Sequence, residues 1–154
     1  ESNMAYKKRR DGYIHALNEN GLIISDDFIT FCMPGIESGY EKAKEFFSLP
    51  EPPDAAFFCD DFNAFGCLAY AKDHSIQIPS EFGIIGCNDT VFSSLPQLYL
   101  TSISQSLEQM ALSAVTMITN MIERQNQWHN QKIILSPSII CRSSTKDIPD
   151  KNPL

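Results

Sequence analysis

A short apolar run, Ala55 to Cys59, stops at two adjacent carboxylates, Asp60 and Asp61, and a helical pattern through Ala64, Leu68 and Ala71 follows at once. An apolar run this short, flanked by helical segments, reads as a strand buried on both faces of a parallel α/β sheet. In such sheets ligands gather beyond the carboxyl ends of the strands. The stretch PDAAFFCDDFNAFG therefore sets Asp60 and Asp61 at a rim where small molecules bind, with Asp61 also placed to cap the helix through the free N–H groups of its first turn. Taken alone, the stretch is explained equally well by two carboxylates that merely cap and solvate a helix start.

A second apolar run, Phe82 to Cys87, ends in Asn88-Asp89 much as the first ends in Asp60-Asp61. This recurrence favours the rim, because a cleft needs polar groups converging from neighbouring strand ends. Around these two strands the chain alternates. Ala5 to Asn20 reads as an amphipathic helix with Tyr6, Tyr13, Ile14 and Leu17 on one face, closed by Asn20-Gly21 as a left-handed cap. Phe28 to Cys32 reads as a strand, Met33 to Ser38 as a loop, and Glu37 to Leu49 as a helix stopped by Pro50, Pro52 and Pro53. The helix after Asp61 runs to about His74. Thr90 to Tyr99 is loop-like, Leu100 to Ser104 a short strand ending in Gln105, and Leu107 to about Arg124 the clearest helix, its Leu, Met, Ile and Val stripe reading as core packing. Glu123 to Gln131 reads as a surface turn, Ile133 to Leu135 and Ser138 to Cys141 as short strands, and the residues from Thr145 as a polar tail. The fold expected is α/β, a doubly wound and mostly parallel sheet.

Composition narrows the function. The 154 residues suffice for one domain with a real core, and 43% hydrophobic with 20% charged is ordinary for a soluble protein. A net charge of -7, with no basic cluster beyond Lys7 to Arg10, argues against a nucleic-acid face on this chain. The five cysteines, Cys32, Cys59, Cys67, Cys87 and Cys141, form no CxxC pair and lie mostly in apolar runs. They read as small buried hydrophobes in a reducing compartment, the cytoplasm. No apolar run reaches the roughly 18 residues of a membrane span, and ESNMAYKKRR lacks a signal-peptide core. His15, His74 and His129 show no ligand spacing with one another, with Cys or with acidic residues, so no metal or other cofactor is expected.

Several segments in order then resemble the effector-binding domain of the LacI/GalR family of bacterial transcription regulators. They are RRDGYIHALNENGL from Arg9, GIESGYEKA from Gly35, PDAAFFCDDFNAFGCLAYAKDHSIQIP from Pro53, FGIIGCND from Phe82, LTSISQS from Leu100 and SIICRSST from Ser138. The resemblance implies a domain like a periplasmic sugar-binding protein, with two α/β subdomains, three crossover strands and a ligand cleft between them. Residues 1 to about 103 with 138–145 would form most of the C-terminal subdomain. Residues 104–137 would cross to the N-terminal subdomain, and 146–154 would be a tail. The helix-turn-helix, the hinge helix and the first half of the N-terminal subdomain would precede Glu1.

By that resemblance Arg9 matches a cleft arginine able to fork onto neighbouring hydroxyls or a carboxylate. Asp60, Asn88 and Gln105 match polar cleft positions at successive strand ends, and Asp89 falls one step beyond. Where the family often carries an aromatic, this sequence has CMPGI, so Met33 or Pro34 would supply the wall. Asn88 stands where an acidic residue is common, and it donates as well as accepts. The plainer alternatives are a solvated charge for Arg9 and a helix-start residue for Gln105. A homodimer face is implied at Phe65, Ala69, Phe92 and Leu95, where Phe65 or Phe92 could equally be core.

The function implied is sensing of a small polar effector, a sugar or sugar phosphate, with DNA bound only through the preceding head. A secreted sugar-binding protein of the same fold is the alternative. An enzyme of the phosphoacceptor type would need a third acidic strand end and a lysine beyond a later strand, which this sequence lacks. Two further expectations follow. The apolar face of the Leu107 helix should pack on its own subdomain or on another copy, being too large to leave wet. A chain holding half a cleft should bind effector weakly or not at all.

Overall fold

The computed structural model describes residues 4–23, 25–123 and 131–146. Within them lie helices α1 (Met4–Glu19), α2 (Ile36–Phe47), α3 (Asp61–Asp73) and α4 (Leu107–Glu123), and strands β1 (Ala55–Phe57), β2 (Gly83–Cys87), β3 (Thr101–Ser104) and β4 (Ser138–Ile140). The strands lie side by side in the order β1-β2-β3-β4. The first three are parallel and β4 runs antiparallel to β3. This is the mostly parallel α/β sheet predicted from the strand runs, and its parallel part brings three carboxyl ends to one edge.

The core lies where α2 and α3 meet the sheet. Phe46, Phe58, Phe65, Tyr70, Phe82, Ile84 and Leu100 are buried there, and Phe47 stacks on Tyr70 with ring centroids 5.7 Å apart. The two helices approach until backbone meets backbone. A Cβ on Gly39 would stand 2.0 Å from the Asn63 carbonyl oxygen, and one on Gly66 would stand 2.0 Å from that of Ile36. Only glycine permits this contact, which explains GYEKA and AFG at these places.

Strand β3 is an unusual core strand, with buried Thr101 and Ser102 where aliphatic residues are common. Its polar groups are satisfied from afar. The Thr101 N–H donates to Ser144 Oγ at 2.8 Å, and Ser144 Oγ donates to the Ile84 carbonyl at 2.6 Å. The segment after β4 thus stitches β2 to β3 through a single hydroxyl, because buried polar groups must find partners.

Several sequence expectations need correction. Among the described residues the strand expected over Phe28 to Cys32 does not form; Asp26–Phe28 is a 3-10 turn, and the outer edge of β1 faces a cavity instead. A strand needs a partner ladder as well as an apolar run. Residues 133–135 likewise form no strand. Helix α4 buries nothing in this chain: Leu107, Val115, Ile118 and Ile122 are each more than half exposed, so its stripe does not pack on its own subdomain. Cys32 and Cys141 are exposed, whereas Cys67 and Cys87 are buried as expected. The predicted face of α1 holds in milder form, since Tyr6, Arg9, Tyr13, Ile14 and Leu17 are half-buried and no α1 residue is buried outright. Gly21 adopts φ +66 and closes α1 as predicted, with the Leu22 N–H donating to the Leu17 carbonyl at 3.0 Å. Most of the expected turn over 123–131 and of the polar tail falls outside the described residues.

Candidate functional site

Asp60, Asn88 and Gln105 follow β1, β2 and β3 in turn and join into one hydrogen-bonded row. Asn88 Nδ2 donates to Asp60 Oδ2 at 3.1 Å, and Gln105 Nε2 donates to Asn88 Oδ1 at 2.6 Å. The carboxylate fixes the direction of the whole row, because it can only accept. The Asn88 amide must turn its nitrogen toward Asp60, which leaves its oxygen for Gln105. Asparagine can play both parts, and an acidic residue at position 88 would face Asp60 as a second anion.

The backbone beneath the row is built to hold this arrangement. Asn88 has φ +117 and Asp89 φ +49, conformations that cost L-residues free energy and persist only when surroundings enforce them. Three successive N–H groups supply that enforcement. Those of Asn88, Asp89 and Thr90 donate to the Ile103 carbonyl (2.9 Å), Ser102 Oγ (3.0 Å) and Asp61 Oδ2 (2.7 Å). Arg142 adds its guanidinium, donating to Asp89 Oδ1 and to the Leu100 carbonyl, each at 2.7 Å.

Of the two carboxylates of the opening motif predicted at the rim, only Asp60 stays there, and it also takes the cap foreseen for Asp61. Asp60 is the cap: its Oδ1 accepts the Phe62 N–H at 2.8 Å while its Oδ2 holds Asn88. Asp61, one residue further round the helix, turns inward and is fully buried, accepting from Ser102 Oγ (2.6 Å) and Ser93 Oγ (2.8 Å) as well as Thr90. The helical rotation of about 100° per residue separates the neighbours, one to the rim and one to the interior. Sequence reasoning missed Arg142 as a supporting residue and gave Asp61 the wrong role, because the partners of both lie tens of residues away.

Arg9 reaches the same edge from α1, with Nη1 donating to the Cys59 carbonyl at 2.6 Å and its guanidinium carbon 5.6 Å from the centre of the Tyr6 ring. Arg9, Asp60 and Pro34 share a cavity of about 200 Å³ between α1, the 28–34 segment and β1. Met33 is not in its wall and is largely exposed, so of the two residues considered for the missing aromatic, Pro34 is the one in position. Asn63, also in the wall, pins this loop by donating to the Met33 and Gly35 carbonyls, each at 2.9 Å. Burial pushes the Cys59 and Cys87 thiols up, outweighing the opposing pull of Arg9, so both stay protonated at neutral pH. Among the described residues no three His, Cys, Asp or Glu side chains gather as a metal site would require, and no helix is long and apolar enough to cross a membrane.

The surface beside the rim needs one correction. Phe65 is buried in the core and cannot form a docking face, whereas Phe92 and Leu95 are exposed and Ala69 is half-buried. Phe62 is the exposed ring of that helix turn, packed edge-on against both Phe65 (5.8 Å) and Phe92 (6.1 Å).

A mostly parallel sheet with polar groups gathered at its carboxyl edge is an architecture that receives ligands beyond its strand ends. Residues 2–145 match the model of the periplasmic binding protein-like domain, and the chain belongs to that family. Its relatives are LacI-type regulators. It is 30% identical over 142 residues to the HTH-type transcriptional repressor PurR of Pasteurella multocida, covering 91% of this chain and 42% of the repressor. Among solved structures it superposes on a LacI-family regulatory protein from Chloroflexus aggregans with a TM-score of 0.79 and 25% identity, over 90% of this chain and 50% of that one. It also superposes on a LacI-family regulator from Lactobacillus casei with bound sucrose, at a TM-score of 0.78 and 20% identity, over 90% of this chain and 51% of that one. The chain thus spans about half the length of these relatives.

Proposed function

We propose that this chain is the effector-sensing half of a cytoplasmic LacI-type transcription regulator. It binds a small, hydroxyl-bearing ligand, a sugar or sugar derivative, between its rim and an opposing lobe. The observation that carries this reading is the polarised row of Asp60, Asn88 and Gln105 on one sheet edge, with Arg9 reaching the same edge. A hydroxyl both donates and accepts, so a polyol can give to Asp60 and receive from Arg9 without leaving either unpaired. The sucrose held by the Lactobacillus casei regulator supports a sugar.

The wet stripe of α4 supports a second lobe, since residues 104–137 would belong to it and its remainder would cover those side chains. No bond of the ligand need break. Each charge-assisted hydrogen bond made only in the closed state contributes about 1.5–3 kcal/mol, and a shift of about 5.5 kcal/mol carries a two-state equilibrium across its working range. Two or three contacts at the rim suffice to move attached helix-turn-helix heads. Phe92 and Leu95, with Ala69 at the margin and Phe62 in the role first given to Phe65, would form the homodimer contact.

The test is a thermal-shift and calorimetric screen of sugars on the full-length protein, followed by Asp60→Ala and Arg9→Ala. Each substitution should weaken the best ligand by at least tenfold. A ligand whose affinity survives both would remove the rim from its binding site.

A further inference from the structure

The turn Asn88-Asp89 is held from two places far apart in the chain. Gln105, directly after β3, donates to Asn88 Oδ1 at 2.6 Å, and Arg142, two residues after β4, donates to Asp89 Oδ1 at 2.7 Å. Among the described residues Arg142 is the one cation bonded to the carboxylates around this turn, Asp60, Asp61 and Asp89. Its pair with Asp89 is largely shielded from water, the two side chains being 12% and 20% exposed. Both arms of the guanidinium are used, one on Asp89 and one on the Leu100 carbonyl, while the Arg142 backbone N–H donates to Thr101 Oγ1 at 2.8 Å. A planar fork tied down in this way dictates where Asp89 sits. Asp89 at φ +49 in turn constrains the preceding residue, Asn88 at φ +117, and hence the direction of its amide. The chain that separates β3 from β4 is, on the proposed function, the part that crosses to the opposing lobe. Gln105 leaves with it and Arg142 returns from it.

We propose that Arg142, acting through Asp89, is a positioning residue for the effector: it keeps the Asn88 amide in the orientation the ligand meets, and so ties ligand binding to the seating of the β4 segment. This rests on the reading of the rim as the effector site and adds the residue that presents Asn88 there. Coupling of this kind is reciprocal, so a ligand that needs Asn88 in place also tightens the segment that carries Arg142.

A panel of free pentoses, hexoses and disaccharides, titrated calorimetrically into the full-length protein, tests this, with hydrogen exchange over residues 138–145 followed by mass spectrometry. Arg142→Gln should weaken the tightest-binding sugar at least fivefold when Asn88 is present and less than twofold in an Asn88→Ala background. Bound sugar should slow exchange over 138–145 severalfold in the native protein and leave it unchanged in Arg142→Gln. Arg142→Lys, a cation without the fork, should recover only part of the affinity. If Arg142→Gln fails to fold, Asp89→Asn, which keeps an acceptor for the guanidinium, carries the same comparisons. Native affinity in these variants, or an equal loss with and without Asn88, makes the pair a fold stabiliser alone and overturns the inference while the rim reading stands. No binding anywhere in the panel overturns both.

Discussion

Asp61 is a fully buried carboxylate held by two serine hydroxyls and one backbone N–H. Removing it orphans all three donors, and each unsatisfied buried group costs about 1–3 kcal/mol. Asp61→Ala should therefore lower unfolding free energy by about 3 kcal/mol in urea denaturation, with Asp61→Asn losing less because it keeps an acceptor. A loss below about 1 kcal/mol would mean that the turn after β2 holds itself. Cys67 offers a pH test. Burial pushes its thiol from 9.0 up to about 12, so between those values the unfolded chain has lost a proton that the folded chain keeps. Stability from this group is complete below pH 9 and falls as pH rises toward 12, at about 1 kcal/mol per unit. The difference between native chain and Cys67→Ala, measured at pH 8 and pH 10.5, should shrink accordingly; a constant difference would refute the assignment.

Helices α2 and α3 form the most tightly joined pair of elements, and glycine sets their spacing. Gly66→Ala would gain helix propensity, yet its methyl would meet the Ile36 carbonyl at 2.0 Å, and forced repacking of this kind costs about 1–3 kcal/mol. A net fall in thermal stability is expected, and a rise would show that the helices separate freely. The elements were legible in the sequence wherever local pattern decides them. The runs at Ala55 and Phe82 stop at polar pairs, α1 carries its face and cap, and the strand-end residues Asp60, Asn88 and Gln105 do meet. What was not legible depends on distant partners. Residues 28–32 have strand composition and no ladder to join among the described residues. The inward turn of Asp61 is decided by Ser93 and Ser102, and Phe65 is core because the sheet lies under its side of α3.

Across the whole molecule, order is concentrated in α2, α3 and the sheet, while α1 and α4 contribute no buried residue. Hydrogen exchange should report this as two tiers, with amides of β2 and α3 exchanging through global unfolding and those of α4 at least a hundredfold faster in the isolated chain. Protection of α4 equal to that of β2 would show that a second copy has covered its stripe. The rim and the flank of the molecule are joined through Asp60. Asp60 steadies Asn88 with one oxygen and the first turn of α3 with the other, and Phe62, whose N–H it accepts, leans on Phe92 at the surface. Under the proposed function, a guest that tugs on that carboxylate also tugs on the start of α3, so news of occupancy has only two residues to cross before it reaches the exposed Phe92.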